Sequence, residues 1–362
     1  MKIRKASGIL SGAFLALMAH TAMADPIELT DQAGRAVRLE APAERVASIP
    51  MPMASTLIAI DGGVEKQVGM NPVAKQAVLD GILGKIYPEA KDIPSDITAP
   101  NFIPNVEELA ATNPDLVIQW ADRGDDLVDP ITNAGLTAML ISYGTEEKAR
   151  EYMTLSAEAM GRDDRIGPLI EWREQVASDI AGKAADIADA DKPKVLYLLR
   201  AKETLTASGA KNNYNTWYIE LTGGTSASAD LEANGVTINP EQIAEWNPDV
   251  ILLNNFESDI APERIYSDPI LSLTNAAQNH KVYRMPLGGY RWDPPNTESP
   301  LTWMWLADLL HPEVFDYDLR AEMKQVYKTI YDYDLSEEDI DNILWVDLNE
   351  GAAGYDQFKA KS

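Results

Sequence analysis

The chain of 362 residues holds no Cys, three His, and 57 acidic against 31 basic residues, a formal net charge of −26. A nucleic-acid-binding domain needs a basic face, and a zinc or redox centre needs Cys or clustered His, so this composition excludes both. With 45% apolar residues and interspersed charges the chain is globular rather than an acidic disordered segment, and its length predicts two domains.

In chain order, Lys2, Arg4 and Lys5 head an apolar run from Gly8 to Ala19, followed by Ala22-Met23-Ala24. A positive head, an apolar stretch too short to span a bilayer and a small-residue cleavage site predict a secretory signal over 1–24. Its removal leaves 338 residues with 28 basic and 57 acidic groups, a charge of −29. Bacterial lipoproteins carry their lipid on a Cys at the mature N-terminus. Without one, the exported chain is expected to be soluble in the periplasm, with no direct membrane insertion, and to fold without disulfides.

Strands are predicted at Arg45–Ile49, Leu116–Trp120, Ala138–Ile141, Lys194–Leu199, Val250–Leu253 and Lys281–Arg284, each short and apolar. Helices are predicted between them at Thr56–Ile60, Asp129–Ala134 and Trp217–Leu221, the last closed by Gly223-Gly224. An internal repeat divides the chain. Residues 105–118, NVEELAATNPDLVI, match residues 239–252, NPEQIAEWNPDVIL, at a constant offset of 134. In each copy an Asn caps a short helix, Asn-Pro-Asp stops it and a buried strand follows; Pro240 suits the first helical position and Gln242 the capping-box partner.

Between the copies, residues 145–190 hold Ala, Glu, Arg, Ile and Met at helical spacing, interrupted near Gly161 and Gly167-Pro168. The fold class is therefore α/β: two lobes with mainly parallel sheets, 25–144 and 191–362, joined by a single long crossover helix over 145–190, with a ligand cleft between them. From Thr297 on the chain reads as mostly helical, with Ser336-Glu337-Glu338-Asp339 as a capped start.

Ligands of open α/β lobes bind outside the carboxyl ends of strands. That rule selects the loops Pro50–Ser55, Gly69–Pro72, Trp120–Asp125, Arg200–Tyr214, Asn254–Ser258 and Pro286–Asn296. They and the residues next to them supply the cations Arg123, Arg200, Lys211 and Arg291, the aromatics Trp120, Tyr214, Trp217, Tyr290 and Trp292, and the further candidates Met53 and Asn255. Guanidinium forks suit carboxylates and other oxyanions, and aromatic walls suit a flat or chelated ligand, so an anionic metal chelate meets both demands. Gly288-Gly289-Tyr290-Arg291-Trp292-Asp293 is the first-choice ligand loop; its alternative is structural, with Trp292 packed under the loop and Arg291 paired to Asp293. With His280 and His311 the only His beyond the signal and no thiol, capture of a bare metal ion and a resident metal or cofactor are not expected.

The opening RVASIPMPMASTLIAIDGGVEKQVGM, the repeated N-x-E-x-[LI]-A-x-x-N-P-D-[LV]-[VI] and the late HKVYRMPLGGYRWDPPNTESPLTWMWLADLLHPE resemble the substrate-binding proteins of ABC importers, in the helical-backbone class that serves ferric siderophores, haem and cobalamin. The terminal YKTIYDYDLSEEDIDNIL is similar to a branch that includes anionic iron, nickel and oxyanion carriers. The resemblance implies a monomeric periplasmic carrier that captures an anionic metal complex, a ferric siderophore first, and hands it to an ABC permease dimer; cobalamin, haem or an oxyanion such as molybdate are the alternatives. It also implies that one surface Glu per lobe docks on permease arginines, by position in the repeat Glu107 and Glu241. The competing reading of each is a first-turn carboxylate complementing the helix dipole. An exported enzyme is disfavoured, since G-x-S-x-G, P-loop and zinc-helix motifs are all absent from the sequence. A ligand-sensing module remains the other alternative.

Overall fold

A computed structural model describes residues 26–361, so the signal predicted over 1–24 lies outside the described residues. The described chain opens with an antiparallel hairpin of β1 (Ile27–Thr30) and β2 (Ala36–Leu39), whose alternating exposure gives no continuous apolar run. The N-terminal lobe is then built on β3 (Val46–Ser48), β4 (Gln67–Met70), β5 (Leu116–Trp120) and β6 (Ala138–Ile141), in the order β4-β3-β5-β6 and parallel throughout. Strand β5 and strand β6 are buried along their whole length, which is why they read as apolar runs, interrupted only by Gln119 in β5.

The C-terminal lobe holds β7 (Lys194–Arg200), β8 (Leu205–Ser208), β9 (Thr225–Ser226), β10 (Val236–Ile238), β11 (Val250–Leu253) and β12 (Val282–Arg284), in the order β10-β8-β7-β11-β12 with β9 beside β7. Strands β7, β9, β11 and β12 pair in parallel, whereas β8 and β10 add an antiparallel edge. Both copies of the repeat form the expected helix, Val106–Ala111 and Pro240–Trp246. Asn239 caps the second by accepting from Gln242 N at 2.8 Å, while the Gln242 side chain turns to Glu245 instead of closing the box. Asn105 makes no such side-chain bond. Ser336 and Asp339 do form a reciprocal capping box.

The crossover is two helices rather than the single one expected. Glu146–Met160 ends at Gly161, whose φ of 64° is left-handed and where a Cβ would lie 3.1 Å from Pro42. Asp163–Ala184 follows and carries Pro168 in its second turn, where the ring removes the bond to Asp164 O without ending the helix.

The lobes share one core. Ala54, Ile58 and Leu83 from the first lobe, Val176 and Ile180 from the crossover, and Val195, Leu252, Trp303 and Tyr327 from the second form one buried apolar cluster. The helices Ser299–Leu310, Leu319–Tyr331 and Glu337–Ile343 supply much of it and reach the crossover and the first lobe directly: Arg165 Nη2 donates to Ile330 O at 2.7 Å, and Lys85 Nζ meets Asp339 Oδ1 at 2.6 Å.

Candidate ligand cleft

A cavity of about 410 Å³ opens at the carboxyl ends of β5, β6, β7 and β11, where the strand-end rule places a ligand. Met51, Trp120, Arg123 and Tyr143 line it from the first lobe, and Tyr197, Arg200, Phe256, Tyr290 and Asp293 from the second. The starts of three helices also open on it: Pro52 precedes Met53–Asp61, Val73 lies in the first turn of Pro72–Asp80, and Asn213 caps Tyr214–Leu221. Helix starts carry partial positive charge, so the cavity favours anions before any side chain is counted.

The side chains strengthen that preference. Among the described residues, Arg123, Arg200 and Arg291 are the arginines whose guanidinium makes no ion pair and no hydrogen bond to a carboxylate or carbonyl oxygen, Arg291 lying against the Tyr290 phenol; each of the others is engaged. Aromatic rings hold the free three. Arg123 Cζ stands 4.6 Å from the Phe102 centroid and 4.8 Å from Trp120, while Arg200 and Arg291 stand 5.0 and 4.5 Å from Phe256. Arg123 and Arg200 are exposed in the open cleft, but Arg291 is buried, and its Nε and Nη1 find no acceptor in the protein. A buried, unpartnered guanidinium is costly unless a ligand completes it.

The Arg291–Asp293 pair weighed from sequence does not form. Asp293 Oδ2 instead accepts from the Tyr197 hydroxyl at 2.8 Å, and Asn215 Nδ2 donates to its backbone oxygen at 3.3 Å. Burial pushes the Asp293 carboxyl up to about 6 and the Tyr290 phenol up to about 12. Tyr143 and Tyr197 were not singled out from sequence, Phe256 went unnamed within a selected loop, and Asp293 stood only as a member of the ligand loop and a partner for Arg291. Acidic groups are too numerous in this chain for one to stand out, and a Tyr inside an apolar strand reads as core.

The sequence candidates separate cleanly. Trp120, Arg123, Arg200 and Tyr290 line the cavity, with Arg291 beneath Phe256. Met53 is wholly buried in its helix, two residues past Met51, which does line the cavity. Tyr214 stacks on Trp217 at 5.6 Å and accepts from Trp303 Nε1 at 3.1 Å, and Trp217 meets Trp303 edge-on at 5.1 Å, so both belong to the shared core. Trp292 is buried and donates through Nε1 to Glu298 Oε2 at 3.0 Å. Asn255 has spent its amide on Met285 O, Pro286 O and Arg284 Nε. Lys211 is exposed and lies outside the cavity lining. These residues shape the cleft walls from behind.

The ligand loop is held as firmly as the walls. Glu298 accepts from Gly289 N, Trp292 Nε1 and the hydroxyls of Tyr327 and Tyr331, between 2.8 and 3.1 Å, which offsets the cost of burying a carboxylate. A Cβ on Gly288 would fall 2.1 Å from Glu298 Oε2, so this position requires glycine. Glu107 and Glu241, far from this chemistry in sequence, lie exposed in the first turns of the two repeat helices.

The model of the periplasmic binding protein family matches residues 99–287. The fold superposes on a periplasmic solute-binding protein of Veillonella parvula with a TM-score of 0.80 and 34% identity, over 90% of this chain and 99% of that one. Molybdate-binding protein MolA of Haemophilus influenzae is 24% identical over 357 residues, spanning 90% of this chain and 97% of its own. Fe(3+)-citrate-binding protein YfmC of Bacillus subtilis is 23% identical over 182 residues, spanning 50% of this chain and 56% of its own.

Proposed function

This chain belongs to the periplasmic binding protein family of ABC importers, and within that role we propose that it carries a compact anionic metal chelate, with ferric complexes first. One observation carries the reading: in a chain with 57 acidic residues, two arginines without an acidic partner, Arg123 from one lobe and Arg200 from the other, face one cavity, with the buried Arg291 behind its Phe256 wall. Guanidinium forks take the outward oxygens of the chelate, and Trp120, Tyr143, Phe256 and Tyr290 pack against its organic rim. A volume of about 410 Å³ lies in the lower part of the usual range for small-molecule sites and suits a compact chelate such as ferric citrate. YfmC, a binder of that complex, supports this choice by its similarity.

A second reading, a tetrahedral oxyanion such as molybdate, is favoured by MolA, whose similarity runs along nearly its whole length. Under either reading, the loaded carrier docks on a permease dimer through Glu107 and Glu241, one per lobe. Titration of the intrinsic Trp fluorescence with ferric citrate, a ferric hydroxamate, haem, cobalamin and molybdate tests the proposal, since Trp120 lies in the cavity wall. Saturable quenching by the ferric chelates supports the first reading and by molybdate alone the second; tight binding of uncharged cobalamin alone would refute both.

A further inference from the structure

A carboxylate inside an anion site demands an explanation, because it repels the charge that the arginines attract. Asp293 is 6% exposed and lines the cavity together with Arg123 and Arg200. Its hydrogen bonds have a fixed direction. Phe256 N donates to Asn254 Oδ1 at 2.8 Å, which orients that amide so that its Nδ2 donates to the Tyr197 hydroxyl oxygen. The Tyr197 proton is thereby committed to Asp293 Oδ2. Oδ1 accepts no protein hydrogen bond of ordinary geometry, the Asn254 amide and the Asp293 backbone N–H only lying close enough to favour the ionised carboxyl, and it is not among the sealed, unpaired atoms of the interior, so it is reachable from the cavity. The other titratable groups around the carboxyl are the hydroxyls of Tyr143, Tyr218 and Tyr290, all neutral near pH 7, and the cation of Arg291.

We infer that Asp293 is the specificity-determining residue of the cleft: Oδ1 requires the ligand to present a hydrogen-bond donor, a hydroxyl or a metal-bound water, while the arginines take its negative oxygens. This rests on the reading of the cavity as the ligand site and deepens it. A fully deprotonated tetrahedral oxyanion has no donor to offer and meets Oδ1 with lone pairs and charge. A hydroxyl-bearing or aquated chelate pairs with it. Because Oδ2 already accepts from Tyr197, protonation of Asp293 puts the new hydrogen on Oδ1 and turns the position from acceptor to donor. The raised position of this carboxyl, about 6, brings that reversal within reach of mildly acidic conditions.

Asp293→Asn imitates the protonated state, since its amide oxygen still accepts from Tyr197 while its NH₂ faces the cavity. Calorimetric titration of the whole exported chain with sodium molybdate at pH 7.5 is expected to show affinity at least about tenfold higher in Asp293→Asn than in the wild type, and ferric citrate affinity lower by a similar factor. Wild-type molybdate affinity is expected to rise several-fold between pH 7.5 and 6, and the variant to lose that dependence. If Asp293→Asn changes neither affinity while Arg291→Ala weakens anion binding, the assignment of Asp293 is overturned and the cleft reading stands. If neither substitution changes binding of either probe, the cleft reading itself fails. A circular-dichroism melt of each variant separates lost folding from lost binding.

Discussion

Arg173 and Glu146 form a two-pronged ion pair in the interior of the crossover, Nε to Oε1 at 2.9 Å and Nη2 to Oε2 at 2.6 Å. The third nitrogen of Arg173 donates to Asn296 O at 2.5 Å, so a pair joining the two crossover helices also holds the end of the ligand loop. Tyr152 adds a bond from its hydroxyl to Pro295 O at 2.9 Å.

Arg173 is fully buried, and replacing it with Ala strands the Glu146 carboxylate. The expected cost is about 3–5 kcal/mol of stability, as for one partner removed from a buried pair. Denaturant unfolding measures it, and a loss under 1 kcal/mol would show that water replaces the pair.

Arg291→Ala is expected to weaken binding of an anionic chelate by about 1.5–3 kcal/mol, the range for a hydrogen bond to a charged group. Fluorescence titration checks this, with Lys211→Ala as the comparison: Lys211 lies outside the cavity lining, and its loss is expected to leave affinity unchanged.

Reversing Glu107 and Glu241 together to Arg is expected to abolish permease-dependent uptake and leave ligand affinity unaltered, because both side chains are exposed on outer helices. Uptake assays in cells read the first effect and titration the second. Retained uptake would reduce both residues to helix-dipole partners.

Asp308 is almost wholly buried, accepts from Tyr317 N at 3.2 Å, and is pushed up by burial to about 7. Its folded form therefore holds a proton that the unfolded chain has released above its ordinary value of 3.8. Stability from this group is complete below that value and is lost as pH rises towards 7. Asp308→Asn keeps the acceptor and removes the titration. The variant is expected to gain melting temperature over the wild type at pH 8, with the gain vanishing near pH 4. An equal gain at both would exclude Asp308 as its source.

The legible parts of the fold are those where burial is uniform. Strands β5, β6 and β11 match the predicted bounds residue for residue because both faces are covered and their runs are apolar but for Gln119. The β1–β2 hairpin and the β8 and β10 edge were missed: their short runs mix polar and apolar residues, and pairing rather than composition defines them. In the cleft, arginines stood out against an acidic background, and Arg123 and Arg200 do line it, with Arg291 behind Phe256. Aromatics gave no such contrast, since Tyr214, Trp217 and Trp292, which pack, have the same composition signal as Trp120 and Tyr290, which line the cavity. The break at Gly161 was visible as a residue but not as an angle, since a glycine takes either sign of φ and sequence alone does not say which.

The apolar cluster that runs beneath both lobes limits how the carrier announces its cargo. Opening the halves like a jaw would expose Val176, Trp303 and Tyr327 to water, at roughly 25 cal/mol for each Å² uncovered. Under the proposed function, loaded and empty molecules are therefore expected to present nearly the same outline to a permease. The mouth carries the cations of Arg123 and Arg200 beside the Asp293 carboxyl, so under the proposed function an anion seated there changes its electrostatic potential more than its shape.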